Sequence, residues 1–125
     1  NNPRKEKMHD LIIKRFENPD KTIHFNNGKF EIVQVETMTI GKATYEPEWK
    51  WSVDANPLTG TKFCEVEHIG MVISGSATVA FEKCEISILK PGDVFYVSKR
   101  PHDSWVIGNE QYVSLHFIGA DKYIQ

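Results

Sequence analysis

The chain has 125 residues, 40% of them hydrophobic, and 15 Lys plus Arg stand against 17 Asp plus Glu for a net charge of −2. That length suits one domain with a real core, and the near-balanced charge gives no general pull toward nucleic acid or an anionic bilayer. No apolar run approaches the roughly 20 residues of a membrane span, and the opening NNPRKEKMHD lacks the pattern of a secretory signal, so a soluble, cytoplasmic protein is expected.

Along the chain, Met8, Leu11, Ile12 and Phe16 fall at helical spacing between Pro3 and Asn18-Pro19, which predicts an amphipathic helix over Lys5 to Phe16 that buries Leu11, Ile12 and Phe16. Residues 1–20 are therefore expected to form a helical segment packed on a single barrel domain of residues 21–125. After Pro19 the pattern turns to short runs rich in Val, Ile, Phe and Thr, broken by turn signals at Asn26-Asn27-Gly28 and Pro91-Gly92-Asp93. No βαβ alternation and no internal repeat appears. Many short strands must hide their edges, so an all-β antiparallel barrel or double-sheet sandwich is expected.

The stretch FCEVEHIGMVISGSATVAF, Phe63 to Phe81, reads as strand. Alternation puts Cys64, Val66, His68, Gly70 and Val72 on one face. Glu65 and Glu67 point the other way, as a solvated edge rather than an acid–base pair. The apolar residues of that second face, Phe63, Ile69, Met71 and Ile73, are expected to be covered in a homodimer. On one extended strand Cys64 and His68 would lie roughly 13 Å apart, too far to share an ion unless a bend intervenes. Spacing alone leaves two readings open, a metal pair or a buried thiol beside a hydrogen-bonded histidine. Cys84 sits near a turn and reads as incidental. Two cysteines imply no disulfide framework, although one bridge is conceivable.

Trp49 and Trp51 alternate to one face, and Trp105 follows His102; these tryptophans and Tyr96 are candidate pocket-lining residues. His116 shares a strand face with Tyr112 and Ser114, opposite Val113, Leu115 and Phe117. It reads first as a surface or interface residue and second as part of the pocket lining.

The run from Thr39 to Ile118 resembles the cupin superfamily. Gly75 matches the last glycine of the first cupin motif. His68 then occupies the glutamate position, Cys64 the second histidine and Lys62 the first. The second motif starts at Gly92 in KPGDVFYVSKRPHDSW, with Ser98 at the proline position, Arg100 at the glycine and His102 one residue before the usual histidine. The chain is more closely similar to short single-domain cupins of the WxWS / CxxxHxG / GHDxW type, through EPEWKWS, CEVEHIGMVISG and SKRPHDSW. Ser98, Lys99 and Arg100 replace Pro-Pro-Gly there and make the rim more basic.

This resemblance implies a cupin double-stranded β-helix, or jelly-roll barrel, with a divalent-metal site at Cys64, His68 and His102. Thiolate with imidazoles suits zinc first, with iron, copper or no metal as alternatives. Three ligands would leave a position open for water or a small molecule. The expected function is therefore that of a cupin acting on or binding a small polar molecule. The alternatives are a non-catalytic binding or sensing cupin without a metal, and a structural barrel. No residue declares itself as an acid–base catalyst, so enzyme and binding module both stay open.

Overall fold

The computed structural model describes residues 10–124. Its strands are β1 (Lys21–Phe25), β2 (Gly28–Val35), β3 (Met38–Tyr45), β4 (His68–Ser74), β5 (Ser76–Phe81), β6 (Ser87–Leu89), β7 (Val94–Val97), β8 (His102–Asp103), β9 (Val106–Ile107) and β10 (Tyr112–Ile118). They form a six-stranded antiparallel sheet in the order β1-β2-β3-β10-β4-β7 and a smaller one in the order β6-β5-β8, with β9 also paired to β5. Between β3 and β4 come a π-helical turn (Trp51–Ala55) and a single α-helical turn, α1 (Asn56–Thr59). Among the described residues no strand ladder joins the two sheets. The layers therefore face each other without closing a continuous hydrogen-bonded barrel.

Period-two patterning decides which side chains lie between the sheets. The six-stranded sheet sends in Phe30 and Ile32 from β2, Ala43 and Tyr45 from β3, Val72 from β4, Phe95 and Val97 from β7, and Tyr112 from β10. The smaller sheet answers with Ala77 and Val79 from β5 and Val106 from β9, while Leu89 of β6 packs at the margin. Gly70 lets β4 and β10 approach: a Cβ there would collide with the Leu115 carbonyl and lie 2.7 Å from Phe95 Cζ.

The helix expected over Lys5 to Phe16 is not formed in its described part. Residues 10–16 run as irregular chain, and residues 5–9 lie outside the described residues. Leu11 is 74% exposed instead of buried, while Ile12 and Phe16 are half-buried. A twelve-residue helix is marginal in water without a packed apolar face, and here tertiary partners hold the chain in another shape. The Asp20 carboxylate takes the Lys14 ammonium at 3.0 Å and the Gln34 backbone N–H at 2.7 Å, tying the segment to β2. Phe16 lies beneath Lys42 of β3, whose Nζ is 6.0 Å from the ring centroid.

Candidate metal centre

Cys64 lies outside β4, and residues 65–67 belong to no strand. Cys64 Sγ lies 3.2 Å from His68 Nε2, in place of the long separation that a continuous strand would impose. Cys64 is instead held by an isolated bridge to His102. Its N–H donates to the His102 carbonyl at 2.9 Å, and the His102 N–H donates back at 3.0 Å. The bridge and the β4 start bring three side chains together. One ligand atom from each of Cys64, His68 and His102 lies within 4.8 Å of the others, and all three residues are buried.

Hydrogen bonding prepares one imidazole for coordination. His102 Nδ1 is 2.7 Å from the Arg100 carbonyl oxygen, which can only accept, so Nδ1 carries the proton and Nε2 keeps a free lone pair. His68 turns Nε2 toward the thiol, and its Nδ1 has no protein partner among the described residues. Gly119 closes against this ring. Its φ of +102° suits glycine, and a Cβ there would collide with the Glu67 carbonyl and lie 3.1 Å from His68 Nδ1.

Burial sets the protonation of the cluster. It pushes the Cys64 thiol up to about 11, with the backbone hydrogen bond involving Val66 opposing and Glu65 and Asp103 adding to the rise. The same desolvation drives His68 well below the ordinary imidazole value, and His116 and His102 push it in the same direction. His102 is also lowered by burial, against its Arg100 hydrogen bond and the charge of Asp103. At neutral pH the metal-free centre is therefore a neutral thiol beside neutral imidazoles. A thiol that can lose its proton to a cation and two neutral imidazoles form a donor set suited to a borderline divalent ion.

The centre opens into a cavity of about 60 Å³. Trp49, Trp51 and His116 line it, together with Tyr45, Phe95 and Tyr112. Trp49 stacks on Tyr45 with ring centroids 3.8 Å apart and an interplanar angle of 5°. Two of the expected lining residues lie elsewhere. Tyr96 is 60% exposed because Phe95 and Val97 take the inward places on β7, and its hydroxyl donates to Glu67 at 2.7 Å. Trp105 faces away from the cavity because Val106 faces in; it borders a separate groove with Phe63, Phe81 and Pro101, under Lys50 at 5.2 Å.

His116 corrects the surface reading. β10 runs between β3 and β4, and its polar side is the interior one: Tyr112, Ser114 and His116 are buried, whereas Phe117 is 38% exposed. Ser114 Oγ lies 3.0 Å from His116 Nε2, and the His116 ring meets His68 edge-on at a centroid distance of 5.5 Å. Burial lowers His116 to about 4. It also raises Tyr112 to about 12, against an opposing side-chain hydrogen bond with Ser114. Tyr45 and Tyr112 were missed as lining residues; both carried a signal, since each alternates with outward neighbours on a strand that reaches the cavity.

Asp103 supports the centre from behind. Its carboxylate accepts from the Ser52 N–H at 3.0 Å, the Ser52 hydroxyl at 2.7 Å and the Ser104 N–H at 2.9 Å, which fastens the π-helical turn carrying Trp51 to β8. Lys62, at the first-histidine position of the resemblance, is exposed, with Nζ 5.3 Å from the Phe63 ring centroid. Cys84 is exposed, and neither cysteine is in a disulfide. Glu65 and Glu67 are exposed as well.

No protein-family model matches the chain, and no curated protein sequence matches it. Solved structures do. A polyketide cyclase from Streptomyces resistomycificus superimposes with a TM-score of 0.61 at 13% identity, over 88% of this chain and 80% of that one. A protein of unknown function from Acinetobacter sp. ADP1 gives 0.57 at 16% identity, covering 79% and 90%. An oxalate decarboxylase from Lactobacillus farciminis gives 0.55 at 19% identity, covering 79% of this chain and 30% of that one. These neighbours have cupin-like folds, and the chain shares that fold class.

Proposed function

We propose that this cupin-fold protein binds a divalent transition metal, zinc first, through Cys64, His68 and His102, and uses the adjoining cavity to bind or act on a small molecule. The observation that carries this reading is the convergence of one thiol and two imidazoles, all buried, to within 4.8 Å of one another. Burying such a group without purpose is costly, whereas a tetrahedral ion would use these three donors and keep a fourth position for water or ligand. Bound there, the ion would supply Lewis acidity. The chain's own residues hold the donors in place: the Arg100 carbonyl orients His102, Gly119 abuts the His68 ring, and Trp49, Trp51 and His116 enclose the adjoining space.

Elemental analysis of protein purified without a metal-binding tag tests the reading, followed by reconstitution with zinc, iron and copper. About one ion per chain is expected; none after all three reconstitutions would reject the site. The alternative is a binding or sensing module without a metal, in which the buried Cys64 thiol stays protonated beside the His68 imidazole.

The outer face of β4 and β7 supports pairing with a second copy of the chain. Ile73 is 45%, Val94 73% and Tyr96 60% exposed there, side chains of the kind that pairing would cover. A sedimentation mass near 28.8 kDa, twice the 14.4 kDa of one chain, is expected at micromolar concentration; a monomer mass would reject it.

A further inference from the structure

Four buried side-chain nitrogens have no protein hydrogen-bond partner among the described residues: Trp49 Nε1, Trp51 Nε1, His68 Nδ1 and His116 Nδ1. All four residues line the same cavity, and they are only 2%, 5%, 7% and 9% exposed. Leaving such a group unpaired is costly, and native structures hold few of them. His68 Nδ1 abuts Gly119, but the other three belong to residues gathered around one cavity, which marks it as a place where a further polar partner is received.

Chemistry narrows what that partner is. An indole N–H only donates, so Trp49 and Trp51 ask for lone pairs. Val79, Leu89, Phe95 and Val97 form apolar wall, and among the described residues no Asp or Glu lines the cavity, so no carboxylate meets an anion in direct contact there, although the charges of Asp103 and Glu65 reach Cys64 from behind. A volume of about 60 Å³ admits only a few heavy atoms. We propose that the cavity binds a compact carboxylate whose oxygens accept hydrogen bonds from the indole N–H groups of Trp49 and Trp51, with His116 Nδ1 as a further polar contact. This rests on the small-molecule half of the function proposed above and not on its metal, because the donors belong to the chain in either state.

The test titrates acetate, glycolate and pyruvate into the full chain, once zinc-loaded and once chelated, while the three tryptophan indole N–H resonances are followed by NMR. Methylammonium serves as the cationic control. At least one carboxylate is expected to shift the Trp49 and Trp51 resonances downfield at millimolar concentration and to leave Trp105 unmoved. Trp49→Phe and Trp51→Phe keep an aromatic ring, although a smaller one, and lose the donor, so each should weaken binding at least 10-fold with metal content unchanged. If none of the three carboxylates moves either resonance in either form, or if methylammonium moves them equally, the inference is overturned. The wild-type resonances decide this even if a variant fails to fold. Metal bound with silent indoles would sink the carboxylate alone, whereas responsive indoles without metal would sink the metal alone.

Discussion

Cys64 and His102 exchange both backbone hydrogen bonds, at 2.9 and 3.0 Å, across a bridge that belongs to no longer strand pair. The main chain thus fixes their side chains as neighbours before any ligand is considered. Cys64→Ala and His102→Ala leave this bridge intact, so the β-sheet circular-dichroism spectrum should be retained. Metal content should fall at least 10-fold in each. Metal-free stability, read by urea titration, should drop by only about 1–2 kcal/mol for the lost buried atoms.

Metal uptake should release a proton. Burial holds the Cys64 thiol at about 11, so at pH 7.5 it is protonated in the metal-free protein and must ionise to coordinate. His68 and His102 are already neutral, because both are shifted below the ordinary imidazole value. Calorimetry of zinc binding in buffers of different ionisation enthalpy should give one proton released per ion. Two or more would show that an imidazole had been charged.

Acid should destabilise the metal-free protein through its histidines. His116 has its folded value lowered to about 4 from 6.5, so the unfolded chain binds more protons between those two values. The stabilising difference is complete above pH 6.5, shrinks as pH falls and is gone below about pH 4. This one group accounts for on the order of 3 kcal/mol, and His68 and His102 act in the same direction. Urea unfolding in the presence of chelator should show the loss between pH 7 and pH 4.5, with a shallower slope for His116→Phe. A flat profile would contradict the burial of these rings.

Asp103→Ala removes the acceptor for two groups of Ser52 and for the Ser104 N–H. Hydrogen bonds to a charged group contribute about 1.5–3 kcal/mol, so a stability loss of about 2–3 kcal/mol is expected. Trp51 rides on the released turn, and its fluorescence should move to the red as water reaches it. A variant as stable as wild type, with unchanged fluorescence, would mean that the turn is held by packing alone.

Much of the fold was legible because β-strand alternation is written into the residues themselves. The inward series Phe95 and Val97, or Ala77 and Val79, can be read directly, and the same rule should have turned Tyr96 outward. The metal candidates were visible by type but not by geometry. The break in the strand at residues 65–67 goes with the pairing of Cys64 to His102, 38 positions away, and no local spacing encodes that partner. His116 was misjudged because an apolar strand face was taken for the buried one. On β10 the polar face is inside, where a cavity accepts polar lining, and the apolar face is outside. The described part of the expected N-terminal helix, residues 10–16, departs for a related reason: local periodicity proposed it, and the partners Asp20 and Lys42 hold that stretch otherwise.

The division into two sheets has a mechanical consequence. His68 stands on the larger sheet and His102 on the smaller, with Cys64 bridged to the latter, and across this gap no ladder runs. An ion gripping all three side chains would act as a clasp between layers that otherwise adhere through side-chain packing and the backbone hydrogen bonds of residues 49–51 to β9 and Ser104. Breathing of the layers and release of the ion then become one motion, and amide exchange around β8 should slow together with β4 when zinc is added. Sheet separation itself would be the gate to the cavity.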